Sequence, residues 1–341
     1  MNAKKQTWAV VATVDEPPAL IAAFVAHHLA EGAAEVHVFL DRDNPEAQAL
    51  LRDVPGCFVT LCDEAYWAAS TRRAKPPRHT ARQKYNSTAT YQKTRADWLL
   101  HCDADEFVRD GAALEAELAN AAPELGYLRL PNVERVHLLG HSEAHIFGGG
   151  FRGALPGFAA QGAEIYGRFA KFLNDGVSGH LAGKGIVRTG RPYLMGVHFP
   201  RMQESEERIV PYEIAKTQIL HFDGLTPLHF ALKLLRRAYE PVYSGPPRPH
   251  GEFRKAQFRF MKNNADRPRE VKRLADGAQG ITAEQAETLR SLNALDERPF
   301  DPNAAVRALF PSVDLSPQAF DTVLEIREAD LIAEAGFALE T

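Results

Sequence analysis

Two aspartates one residue apart, Asp103 and Asp105, carry the most pointed chemistry in the sequence. Residues i and i+2 of an extended chain project to the same face, so the pair sets two hard carboxylate oxygens side by side. Such oxygens suit Mg2+ or Mn2+, which take one or two protein carboxylates and fill their other positions with water and substrate phosphate. Glu106 faces the other way on this alternation and fixes the local loop. Acids also end two earlier apolar runs: Asp15 and Glu16 follow Trp8 to Val14, and Asp41 and Asp43 follow Glu35 to Leu40. The densest basic run holds Arg72, Arg73, Lys75, Arg78, Arg82 and Lys84, with His79 among them. It reads either as a loop and helix start that leans on a diphosphate or as a solvated face. Lys184 and Arg188 are further cations that could reach phosphate.

Positioning these groups is the task of the elements around them. Trp8 to Val14 reads as a buried strand, and Pro17-Pro18 with Leu20, Ile21, Phe24, Val25 and His28 as a helix that ends before Gly32. A strand over Glu35 to Leu40, a helix over Pro45 to Arg52, a strand over Cys57 to Cys62, a helix over Ala81 to Arg95 and a strand over Trp98 to Cys102 follow. This alternation predicts an α/β fold: an open, mostly parallel sheet flanked by helices on both faces. Ligands of such sheets bind outside the carboxyl ends of the strands, where all three acidic groups lie. His27 and His28 read as packing residues of the first helix.

Beyond residue 124 the helices thin out. Gly126 to Val136 reads as one strand, Gly140 to Gly167 as a long loop over the site, and Lys184 to His198 as two extended runs around Gly190 and Pro192. Leu228, Leu232, Leu235 and Tyr239 mark an amphipathic helix. Pro241 to Pro249, with four prolines in nine residues, reads as a linker into a helical C-terminal appendage. The expected division is therefore 1–245 and 246–341.

Composition excludes several classes. Of 341 residues, 40 are Lys or Arg and 44 Asp or Glu, a net charge of −4, which argues against a surface built for phosphate backbones or anionic lipid. The basic run lacks the interleaved aromatic platforms of a nucleic-acid site, so no nucleic-acid partner is expected. Cys57, Cys62 and Cys102 are too few for a disulfide framework and read as reduced buried thiols. The apolar run at the N-terminus meets Asp15 too soon for a signal-peptide core, and no run approaches the ~20 apolar residues of a membrane span. The expected location is cytoplasmic.

Several ordered segments resemble glycosyltransferases of the GT-A fold, in the family 2-like and family 92-like branch. These are Thr13-Val14-Asp15-Glu16, Phe24-Val25-Ala26-His27-His28, Gly32 with Val36 to Asp41, and Asp97-Trp98-Leu99-Leu100 with Asp103-Ala104-Asp105-Glu106-Phe107. Residues 179–184 and 220–224 resemble it again. The resemblance implies a GT-A-like catalytic unit that transfers a sugar from a nucleoside-diphosphate sugar, a UDP-sugar first among them, to a hydroxyl acceptor. It implies that Asp103 and Asp105 hold Mn2+ or Mg2+, and that a histidine from the second half, His198 or His221, adds a third ligand. Thr13, Asp15, Glu16, Asp41 and Asp43 would contact base and ribose, whose hydroxyls and N–H groups want acceptors. Gln83 and Asn86 stand where relatives keep polar residues facing the donor, and Lys184 is the cation for phosphate. Inversion, also implied, needs a carboxylate to take the acceptor proton. Asp223 is the first choice, with Glu164 and Asp175 behind it.

Two departures bear on this reading. The second-strand motif is Asp41-Arg42-Asp43-Asn44-Pro45-Glu46 instead of Asp-Asn-x-Ser-x-Asp, and no Gln-x-x-Arg-Trp segment of a processive synthase is present. Two other classes compete: a metal-dependent phosphohydrolase, whose Asp-x-Asp follows the first strand, and a non-catalytic sugar- or protein-binding module on a degenerate transferase fold.

Overall fold

β1 (Trp8–Val14) is buried at every position, as a strand covered on both faces must be. α1 (Pro18–Ala30) begins on prolines, whose missing N–H is no loss in a first turn, and the chain leaves it through Gly32 at φ +95°. β2 (Glu35–Leu40), α2 (Pro45–Leu51), capped by the Asn44 side chain, and β3 (Cys57–Leu61) continue the alternation. Next come α3 (Glu64–Ala69), α4 (His79–Tyr91), β4 (Trp98–His101), β5 (Glu106–Val108), α5 (Gly111–Asn120) and β6 (Tyr127–Leu130). β7 (Asn132–Leu138), β8 (Gly150–Arg152), α6 (Phe158–Tyr166) and a 3-10 turn over Gly167–Phe172 follow. The chain then forms β9 (Lys184–Arg188), β10 (Tyr193–Leu194), β11 (Arg201–Met202), β12 (Glu213–Ile214), β13 (Ile219–His221) and α7 (Pro227–Ala238). The remainder is helical, with α8 (Glu252–Asn264), α9 (Pro268–Gln279), α10 (Ala283–Ser291), α11 (Asn303–Leu309), α12 (Pro317–Arg327) and α13 (Ala329–Ala335). Two short strands, β14 (Gly280–Ile281) and β15 (Leu295–Asp296), interrupt it.

The computed structural model describes residues 6–210, 212–239 and 251–338. The chain divides into two compact units that share it in alternation. The first takes the residues up to Asn132, Ala182–Leu220 and Pro302–Val313; the second takes Val133–Leu181, His221–Asp301 and the residues from Asp314 onward. The expected linker and the boundary at 245 lie outside the described residues.

The first unit holds a seven-stranded sheet in the order β12-β6-β9-β4-β1-β2-β3. β3, β2, β1 and β4 are parallel, β9 runs antiparallel to both β4 and β6, and β12 is parallel to β6. The α/β fold with an open, mostly parallel sheet flanked by helices, and with helices at the C-terminus, is thus the one observed. Trp8, Trp98, Leu99 and Leu100 are fully buried in its centre. α11, far along the chain, packs on α1 within the same unit. His27 and His28 are buried in α1: His27 Nε2 lies 2.7 Å from Val108 O and His28 Nδ1 2.8 Å from Phe24 O, so both are packing residues as expected.

The second unit contains β8 paired antiparallel to β7 and to β15, with β14 parallel to β7. Phe147, Phe222 and Phe300 cluster in its core at ring-centroid distances of 5.3 to 5.6 Å.

Two expectations need correction. Gly126 to Val136 is two strands, because Pro131 has no N–H for a ladder and breaks the run between β6 and β7. Gly140 to Gly167 contains β8 and α6 in place of a long loop and belongs to the second unit; its glycines hid the buried Phe147, Phe151 and Leu155. The three cysteines are free, and burial pushes the Cys57 and Cys62 thiols up to about 12. No helix among the described residues is long and apolar enough to cross a membrane.

Candidate functional site

β2 and β4 flank β1 on opposite sides, so the strand order reverses at β1. A crevice opens at the carboxyl ends of strands wherever an open α/β sheet reverses in this way. Thr13, Asp15 and Glu16 lie at the end of β1, Asp41 and Asp43 just past β2, and Asp103 and Asp105 just past β4, all within the first unit.

After β4 the chain turns at once and does not continue extended. The Glu106 N–H donates to Asp103 O at 3.0 Å, and the Asp103 N–H donates to Glu106 Oε2 at 2.8 Å. Glu106 therefore fixes the loop, as its position predicted, while the two aspartates lie on a turn and not on a strand face. Lys184, fully buried at the start of β9, reaches 2.7 Å from Asp103 Oδ2 and 2.8 Å from Glu106 Oε2. Gln83 Nε2 on α4 donates to Asp103 Oδ1. Three residues expected at the site, Gln83, Asp103 and Lys184, are thus brought together. Burial alone would raise the Asp103 carboxyl, but the Lys184 ammonium overrides it and holds the group well below the usual carboxylate range. Burial likewise opposes charge on Lys184, and Asp103 and Glu106 more than offset it. Asp105 is buried to 7 % exposure at the same turn.

Lys184 is delivered by Gly183, whose φ of +67° and close approach to the Leu130 carbonyl leave no room for a Cβ. The Gly183 carbonyl lies 3.0 Å from His198 Nδ1. A carbonyl can only accept, so Nδ1 carries a proton and donates it to this carbonyl. Buried His101, which the sequence did not single out, lies 3.2 Å from Val197 O and is pushed down to about 4 chiefly by burial.

The basic run folds onto Asp41. Arg82 Nε and Nη2 donate to Asp41 Oδ2 at 2.9 and 2.6 Å, His79 Nδ1 lies 3.3 Å from the same oxygen, and Lys75 Nζ donates to the Asp41 carbonyl at 2.6 Å. Burial would raise the Asp41 carboxyl, yet His79 and Arg82 hold it far below its ordinary value. Asp41 is therefore the anchor of residues 75–82. Exchanging Asp41 for Asn should loosen this segment, and trypsin should cut after Arg72 or Arg73 several-fold faster than in the native chain; an unchanged cleavage rate would refute the anchoring role.

Elsewhere at this edge, Asn86 donates to Thr13 Oγ1 at 3.0 Å and accepts from the Tyr66 hydroxyl at 2.7 Å. Asp15 pairs with Arg42 at 2.7 Å, Asp43 accepts from Gln48 at 2.9 Å, and the Glu16 carbonyl accepts from Asn44 at 3.1 Å. Arg188 directs its guanidinium to the carbonyls of Ala121, Ala122 and Leu125 and stacks on Trp98 at 4.2 Å, which makes it a structural residue and not a phosphate ligand.

His221 and Asp223 belong to the second unit. His221 Nδ1 lies 3.5 Å from Glu134 Oε2, and its ring lies 4.9 Å from that of His180. Glu134 also accepts from the backbone N–H groups of Ser178 and, at 2.6 Å, Gly179, where a Cβ would strike both Glu134 and His221. Asp223 is gripped by Arg254 at 2.7 and 3.1 Å and by the Ser178 hydroxyl at 2.9 Å. Burial would raise the Asp223 carboxyl, and Arg254 instead holds it strongly ionised. Glu164 and Asp175 are exposed. Tyr66 and Glu134 join these clusters without any local sequence signal.

No family model matches the chain, and no curated protein matches it. Among solved structures the chain is distantly similar to glycosyltransferases and nucleotidyltransferases. The mannosyltransferase PcManGT from Pyrobaculum calidifontis, in complex with GDP-Man and Mn2+, is 14% identical over 98% of this chain and 87% of that one, with a TM-score of 0.33. TarS 1-349 of S. aureus, in complex with UDP-GlcNAc, is 12% identical over 98% and 93%, with a TM-score of 0.31. CMP:2-keto-3-deoxy-manno-octonic acid synthetase, complexed with CTP, is 17% identical over 38% of this chain, with a TM-score of 0.26, and the match spans about half, 53%, of that protein. Overlaps this slight assign no role to any residue.

Proposed function

We propose that this chain is a metal-dependent glycosyltransferase that moves a sugar from a nucleoside-diphosphate sugar, with a UDP-sugar as donor, to a hydroxyl acceptor with inversion. The observation that carries the reading is the composition of the crevice at the β1 and β4 ends. It gathers acceptors for base and ribose at Thr13, Asp15 and Glu16, a carboxylate at Asp105, and a fixed ammonium on Asp103, in one unit. A diphosphate with a divalent ion needs that mixture of hard oxygen and positive charge.

The donor set suits Mn2+ or Mg2+: Asp105 supplies a buried hard oxygen, and His198 brings an imidazole in the same unit. When bound, the ion neutralises charge on the departing diphosphate as a Lewis acid. The chain's own groups orient the donor. Asn86 holds Thr13 in place for the nucleoside, and Arg82 and Lys75, gathered by Asp41, bring positive charge to the end of β2. In the transfer itself a bond forms between the acceptor oxygen and the anomeric carbon. The bond from that carbon to the phosphate oxygen breaks with its electron pair on the diphosphate, and the acceptor proton goes to a base. Asp223, the first choice for that base, lies in the second unit and is held ionised by Arg254, which makes it a weak proton acceptor.

Thermal unfolding with UDP, GDP and CDP, with and without Mn2+, tests the reading. One nucleotide should stabilise the native chain by roughly 2.7 kcal/mol at a hundredfold excess over Kd, only with metal, and Asp105→Ala should abolish the effect. A response indifferent to metal, or none to any nucleotide, refutes it. A response without sugar transfer would instead favour the non-catalytic binding module.

A further inference from the structure

A cleft of about 240 Å3 opens in the second unit, where the end of α6 and the 3-10 turn after it meet α9, β14 and the start of α10. Its walls are tied to each other. Gln285 on α10 donates from Nε2 to the Ile165 carbonyl at 2.8 Å and accepts the Thr282 N–H on Oε1 at 2.8 Å, so the start of α10 is fastened to α6. Phe169 of the 3-10 turn lies on α9 at Gly277, where any Cβ would strike its ring. The cleft is therefore preformed. It is smaller than the roughly 300–1,000 Å3 of sites for drug-sized ligands, which leaves room for one monosaccharide-sized ring.

The lining selects the ring by its chemistry. Tyr166 and Phe169 supply aromatic surface, whose electron-rich faces attract the C–H groups of a saturated ring. Asp276 gives Oδ2 to Lys272 at 2.6 Å and keeps Oδ1 as an acceptor for a hydroxyl. The Thr282 hydroxyl accepts the Gln285 N–H at 3.1 Å and keeps its own proton to donate. Charge decides the rest. Arg273 is paired with Glu270 at 2.7 Å and Asp276 with Lys272, whereas Arg168 has no acidic partner among the described residues and sets its guanidinium 5.1 Å over the Phe169 ring. The lining thus carries a positive charge without a counter-ion, on a planar fork that suits a carboxylate or a phosphate.

We infer that the second unit carries a binding site of its own, in this cleft, for an anionic monosaccharide: a sugar ring that bears a carboxylate or a phosphate. The ring rests on Phe169 and Tyr166, its hydroxyls meet Asp276 and Thr282, and its anionic group meets Arg168. The site does not rest on the function proposed above, whose donor-binding residues lie in the first unit.

Titration calorimetry of the full chain with glucuronate and with glucose 6-phosphate tests this, with glucose, inorganic phosphate and benzoate as controls. At least one of the two acidic sugars should bind. Glucose lacks the anion, and phosphate and benzoate lack the hydroxylated ring, so each should bind at least about tenfold more weakly, the difference that one charge-assisted hydrogen bond supplies. Binding of glucuronate alone, or of glucose 6-phosphate alone, supports the site and names its anion. Arg168 is exposed, so its replacement leaves the fold in place. Arg168→Gln should weaken the acidic sugar at least about tenfold, and Arg168→Lys should recover part of the loss. No binding of either acidic sugar to the native chain, equal binding of glucose, or a loss on Asp105→Ala with none on Arg168→Gln would overturn the inference. The proposed function is read separately, from the response to nucleotide and Mn2+, and survives each of these outcomes.

Discussion

Between pH 6.5 and pH 4 the first unit should lose at most about 7 kcal/mol of stability through two adjacent histidines, a loss as large as the whole stability of many domains. Burial lowers His27 to about 4 and His28 to about 3 from an ordinary 6.5. Both are neutral in the fold, in complementary tautomers. His27 donates from Nε2 to the Val108 carbonyl, and His28 donates from Nδ1 to Phe24 O while its Nε2 accepts the Val108 N–H at 3.4 Å. A proton on His28 Nε2 would point one donor at another. The sign follows from linkage: below pH 6.5 the unfolded chain binds protons at both sites and the folded chain does not, so stability falls with pH at up to about 2.7 kcal/mol per pH unit. The contribution is fully present above pH 6.5 and is lost toward pH 4. Asp41, held below its ordinary value, adds a further loss only as pH falls below 3.8. Urea unfolding at pH 7, 5.5 and 4.5, with hydrogen exchange read on β1 and α1, measures this. A midpoint that moves by less than a single histidine's share over that range would refute neutral burial of the pair.

Truncating Glu106 to Ala should cost about 3–5 kcal/mol, the usual penalty for removing one partner of a buried ion pair. The residue is fully buried, and its Oε2 takes both the Asp103 N–H and the Lys184 ammonium. Its loss opens the turn after β4 and removes one of the two carboxylates that balance a buried cation. Glu106→Gln, which keeps the volume and one acceptor, should cost less than the alanine variant. Adding Lys184→Met to Glu106→Gln should recover part of the penalty, since an apolar chain of similar length carries no charge to desolvate. Denaturant unfolding of the native chain, the two single variants and the double variant forms a double-mutant cycle; strict additivity would mean that the pair is not coupled.

The parallel half of the sheet was legible in the sequence because each strand announces itself locally. Trp8 to Val14 and Trp98 to Leu100 are nearly unbroken apolar runs, and β2 alternates Val36, Val38 and Leu40; acids at their ends marked the carboxyl edge. The pairings that define the site were not legible. Lys184 meets Asp103 across 81 residues and Arg82 meets Asp41 across 41, and a charge carries no sign in its neighbours of where its partner lies. The turn at Asp103 to Glu106 escaped for another reason: an i, i+2 pair looks the same on a strand and on a turn, and only the Glu106 hydrogen bonds decide. At Pro131 the apolar pattern ran through a residue that cannot join a ladder, and there the missing N–H outranks periodicity.

The alternation of the two units along the chain has a consequence for synthesis. Residues 302–313, which include α11, are part of the first unit, and they are added only after most of the second unit's residues. On a ribosome that works from N to C terminus, β1 to β6 emerge early and wait for β9, which supplies Lys184, and then for α11 before α1 is covered. Neither unit can be finished while the other is unmade, so the Lys184 to Asp103 pair forms with a long delay between its halves, and through that delay the early strands remain exposed apolar surface in the care of whatever shields nascent chains.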